Sequence, residues 1–112
     1  MSKVLTAKTV VAVLALLLAS NLSASKMNYK KELAEGAHIF KRCSVCHGLH
    51  AQKHALGKSD IIAHYSEKRI ERALKNYRAA IEHDSDAMIM NAQAKHMNNK
   101  QIHDVALYVK TL

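Results

Sequence analysis

The stretch "FKRCSVCHGLH", Phe40 to His50, holds both cysteines of the chain, Cys43 and Cys46, and sets His47 directly after the second. In a helical turn, two thiols three residues apart lie on one face. His47, four residues after Cys43, joins them there. That separation suits the two vinyl groups along one edge of a porphyrin, and the imidazole then stands under its iron. C-x-x-C-H is the signature of covalent c-type haem attachment, with thioethers at Cys43 and Cys46 and His47 as the proximal iron ligand. The other ring nitrogen of His47 is expected to donate to a backbone carbonyl, which fixes the tautomer and strengthens the iron–nitrogen bond.

Other chemistries use the same residue types. A redox dithiol would pair Cys43 with Cys46, but that motif sits beside a βαβ unit, and no strand pattern occurs here. A structural zinc ion would need four ligands, drawn from Cys43, Cys46, His47, His50 or His54, and no second C-x-x-C exists. A disulfide between residues so close would shut a very small loop and stabilise little.

Outward from the motif, composition sets the bounds. The chain has 112 residues, room for one domain. It has no proline, three glycines, one Phe and no Trp, a composition that argues against a turn-rich β fold. Net charge is +8 with histidines neutral, which points to acidic partner surfaces, nucleic acid or membrane.

Residues 1–25 read as a cleavable secretory signal peptide. Lys3 and Lys8 form a basic start, "VVAVLALLLA" (Val10 to Ala19) an apolar core, and Ser23-Ala24-Ser25 a small-residue cleavage site. The apolar run is short of the roughly 20 residues that span a bilayer, so an uncleaved anchor is the lesser alternative. Periplasmic export follows. The remaining domain, 26–112, has 87 residues and net charge +6. With a single Phe, its core needs something besides side chains, and a haem is a large apolar disc that supplies it.

The domain reads as all-α. Asn28 is expected to cap a helix to about Arg42, with Leu33, Ala37 and Phe40 as its stripe. A loop from Gly48 to Asp60 follows, and Ser59 is expected to cap a short turn. Ser66 opens a helix bearing Ile70, Leu74, Tyr77 and Ile81. Asn98, with Gln101 at the reciprocal capping position, opens the last one. Its stripe is Ile102, Val105, Ala106, Val109 and Leu112.

From Tyr29 to Leu112 the chain resembles the small class I c-type cytochromes, in particular the periplasmic cytochrome c-553-like carriers. The likeness rests on "GAHIFKRCSVCHG" and on "DVALYVKTL". Gly36 and Phe40 match the small residue and the aromatic that cross the C-terminal helix in this family, and Tyr108 matches that helix's aromatic. The resemblance implies three to five short helices wrapped round one covalently attached haem c. It also implies a methionine as distal iron ligand, in the loop ahead of the last helix. Met90 stands at that place. Met88, two residues earlier, faces the same side of an extended loop and is second choice. Met97 immediately precedes the Asn98 cap and can staple onto Ile102. Unlike the commoner family pattern, no proline follows the methionine. His38, His64, His83, His96 and His103 read as surface groups, and a ligand role for His50 or His54 would need the chain to wrap the haem edge.

A His/Met pair leaves iron no open position, which argues for a soluble one-electron carrier between respiratory complexes and not an enzyme. A haem enzyme or ligand sensor with a weak or open sixth position is the alternative. Lys53, Lys58, Lys68, Arg69, Arg72, Lys75, Arg78, Lys95 and Lys100 all follow the motif. They read either as a solvated face or as a basic ring that docks a monomer onto acidic patches of membrane-bound redox complexes. A terminal oxidase, a peroxidase or a quinol-oxidising complex is such a partner. Nucleic acid is not, since no recognition motif occurs.

Overall fold

A computed structural model describes residues 4, 6–81 and 83–112. Among them every regular element is helical: α1 (Ala7–His47), 3₁₀ turns at Ala55–Gly57 and Ile62–His64, α2 (Glu67–Arg78), α3 (Ser85–Ala94) and α4 (Asn99–Val109). Internal contacts divide the chain into Met1–Lys31 and Glu32–Leu112.

The first unit is helical from Ala7, with Val11, Leu14, Leu17 and Leu22 exposed. This part of α1 is long and apolar enough to cross a membrane. The helix runs through Ser25 and through Asn28, which lies inside α1 instead of capping it. The reason is local: alanine, leucine and lysine favour helix, and neither glycine nor proline interrupts the chain before Gly36.

In the second unit the caps fall where side-chain chemistry places them. Ser66 accepts the Arg69 N–H and opens α2. Asn98 accepts the Gln101 N–H at 2.8 Å while the Gln101 side chain accepts the Asn98 N–H at 2.9 Å, a complete capping box. Ser59 caps no helix; its hydroxyl accepts the Ala55 N–H and closes the loop from behind. Ile81 lies beyond the end of α2 and is exposed, and Leu112 lies beyond α4.

The core gathers Phe40 from α1, Ile70 from α2, and Ile102, Val105, Ala106 and Val109 from α4, with Ala51 and Met97. Burying each large side chain stabilises by about 1.5–3 kcal/mol. Met97 is buried in the same cluster as Ile102, as a staple across the Asn98 cap requires. At Gly36 helices α1 and α4 cross without room for a side chain. A Cβ there would run into the Asp104 carbonyl and lie 2.7 Å from the Cβ of Tyr108. One turn on, the rings of Phe40 and Tyr108 meet with centroids 5.7 Å apart, tilted by 54°.

Candidate functional site

Helix α1 ends on His47. Gly48 takes φ +84°, a left-handed conformation that suits glycine, and its N–H donates to Ser44 O at 2.9 Å. The chain then doubles back, with Ala51 N–H donating to Gly48 O and Lys53 N–H to His47 O at 2.9 Å. Ala51 is fully buried and also left-handed, at φ +54°, and its carbonyl accepts from Ala63 N–H. The motif is thus delivered at a helix end and braced by the loop that follows.

His47 is 7% exposed, and burial lowers its pKa below the ordinary 6.5. A neutral imidazole is the form that binds metal. Its Nδ1 is buried and makes no hydrogen bond among the described residues. The expected bond to a backbone carbonyl is therefore not made. Cys43 is half-buried, its sulfur 3.8 Å from Ile39 O. Burial pushes its thiol pKa up, partly opposed by the Arg42 guanidinium. Cys46 is exposed, and neither cysteine is in a disulfide.

The methionine segment differs from the expected extended loop. Asp84 accepts the Ala87 N–H at 2.6 Å and opens α3, which carries both Met88 and Met90. On a helix, positions two apart lie about 200° round the axis, so the two thioethers face different ways. Met88 is 63% exposed, whereas Met90 is half-buried.

The basic residues also sort themselves. Lys58 pairs with Asp86, Arg69 with Asp60, Lys75 with Glu71 and Lys100 with Asp104. Arg78 turns inward, donating to Met97 O at 3.0 Å and to Asn99 Oδ1 at 2.8 Å, a clamp between the ends of α2 and α4. Lys53, Lys68, Arg72 and Lys95 are exposed. His103 is no plain surface group: its Nδ1 lies 2.9 Å from Glu71 and 3.5 Å from Glu67. His38, His50, His54, His64, His83 and His96 are exposed.

These residues fit a covalently held haem. Two free thiols precede a buried, neutral histidine, and Val45 and Leu49 beside them present apolar surface to match an apolar macrocycle. Groups of three metal-ligating side chains, among the described residues, occur at Glu32/His103/Asp104 and Glu67/Glu71/His103; neither includes the motif. A family model described as Cytochrome c matches residues 33–112. Cytochrome c-553 of Helicobacter pylori strain 26695 is 38% identical over 74 residues, 66% of this chain and 74% of that protein. Cytochrome c-553 of strain J99 gives the same figures. No solved structure matches the chain. The chain belongs to the cytochrome c family, as an all-α class I c-type cytochrome. It carries covalently bound haem c and serves as a haem-based electron carrier.

Proposed function

We propose that this cytochrome is exported to the periplasm, with residues 1–25 removed, and that His47 and Met90 hold its iron for one-electron transfer and not for catalysis. The observation that carries the reading is the buried His47 immediately after two free thiols. Bound haem supplies the one-electron chemistry. Cys43 and Cys46 would fix it covalently, and His47, whose pKa burial lowers below 6.5, would offer a ring nitrogen to the iron. Met90, as the half-buried thioether of α3, supplies a soft donor that favours the reduced state. With His47 and Met90 both holding the iron, a substrate would have no place to coordinate. Lys53, Lys68, Arg72 and Lys95 form the part of the basic surface left to steer docking, as a monomer, onto acidic patches of membrane-bound redox complexes. A terminal oxidase, a peroxidase and a quinol-oxidising complex are the candidate classes.

The test is spectroscopic. Met90→Ala is expected to remove the weak near-infrared thioether–iron band of the oxidised protein, to admit carbon monoxide and to lower the potential. Met88→Ala should leave all three unchanged. If Met88→Ala removes the band and Met90→Ala does not, the ligand is Met88. Rapid carbon monoxide binding by the unaltered protein at neutral pH would favour a ligand sensor or enzyme instead.

A further inference from the structure

Away from the motif, acidic side chains collect against the face where α1 meets α4. Glu32 on α1 and His103 and Asp104 on α4 bring one ligand atom each within 4.8 Å of one another. Asp104 is 1% exposed, and its Oδ1 has no hydrogen-bond partner among the described residues. A buried carboxylate oxygen left unpaired is costly. Lys100 meets only Oδ2, and its ammonium lies in the field of Asp104, Glu32 and Glu35 together.

We propose that Glu32, His103 and Asp104 form a binding site for a divalent cation of the zinc class. The donor set decides the class: an imidazole with two carboxylates suits zinc and its neighbours, whereas calcium and magnesium take oxygen donors only. Glu71 holds Nδ1 of His103 at 2.9 Å, which leaves Nε2 for the ion. A carboxylate behind a metal-bound histidine orients the ring and raises its basicity. Three protein ligands leave a fourth position for water. The ion would satisfy the unpaired oxygen of Asp104 and join α1 to α4 beside the Gly36 crossing. Lys100 is the built-in competitor. Its side chain is 60% exposed, so it can swing into water when the ion enters.

The experiment is a Zn²⁺ titration of the haem-loaded protein against a chelating dye at pH 7.5. One ion per chain is expected. His103→Ala and Glu32→Gln should each weaken it by at least about tenfold, since even partners behind the ligands are worth that much. Lys100→Met should tighten it, an outcome a purely structural ion pair does not produce. Lys100→Met also keeps the question decidable if His103→Ala fails to accumulate as holoprotein. Failure to bind one equivalent, or unchanged affinity in Glu32→Gln or in Lys100→Met, overturns the proposal. So does a loss confined to Glu67→Gln, which would move the ion to the Glu67/Glu71/His103 group.

Discussion

Gly36 shows how one missing side chain sets a helix crossing. A methyl group there collides with the backbone of α4 at Asp104, and backbone cannot step aside as a flexible side chain does. Gly36→Ala should therefore lower the melting temperature of the holoprotein, by a loss of about 1–3 kcal/mol or more typical of overpacking. Gly36→Val should give little holoprotein at all. A Gly36→Ala protein that melts with the wild type would show that the crossing has slack. Single residues were legible in the sequence where chemistry dictates spacing. Cys43, Cys46 and His47 stand out by their spacing, and the structure sets a buried His47 directly after two free thiols. Met97 was legible as a staple because the cap beside it is. Arg78 was not, because nothing local distinguishes an arginine that solvates from one that clamps Met97 and Asn99.

Helices are marked by their ends more reliably than by their middles. Ser66 and Asn98 each satisfy orphan N–H groups, and both could be placed from sequence. Asn98→Ala should cost about 1 kcal/mol, read as a shift in denaturant midpoint with unchanged slope. Helix α3 went unread because "AMIMNAQA" is apolar almost all round and offers no stripe, although Asp84 caps it. Helix α1 was expected to begin at Asn28 because a capping residue was present, yet continuity of good helix formers outweighs one cap. The α2–α4 contact through His103 and Glu71 joins residues 32 apart and has no local signal. It has a pH signature in metal-free protein. The Glu71 side chain raises the His103 pKa above 6.5, and His103 in turn lowers that of Glu71 below 4.5. The histidine's contribution is complete below 6.5 and fades as pH rises through its raised value. The glutamate's is present above 4.5 and fades as pH falls through its lowered value. The contact should be firmest between 4.5 and 6.5, and His103→Gln should flatten the loss of melting temperature above that window.

For the molecule as a whole, the core of the second unit has Phe40 as its one fully buried aromatic, with Tyr65 and Tyr108 partly buried against it and a handful of aliphatic side chains. Val45, Leu49, Leu56 and Met88 remain on its surface. That inventory is thin for a domain of this length. Protein from which haem has been withheld should accordingly lack most of its helix by far-UV circular dichroism and show no cooperative melt; a full helical spectrum with a sharp transition would contradict this. The Gly36 crossing also has a meaning in time. A chain is made from its N-terminus, so Cys43, Cys46 and His47 emerge well before α4, whose Asp104 and Tyr108 close over Gly36. Until those last residues are in place, the end of α1 is held by the loop after His47 and lacks its contact with α4. Attachment at the two sulfurs is expected to be easiest on chain in which α4 has not yet closed over Gly36.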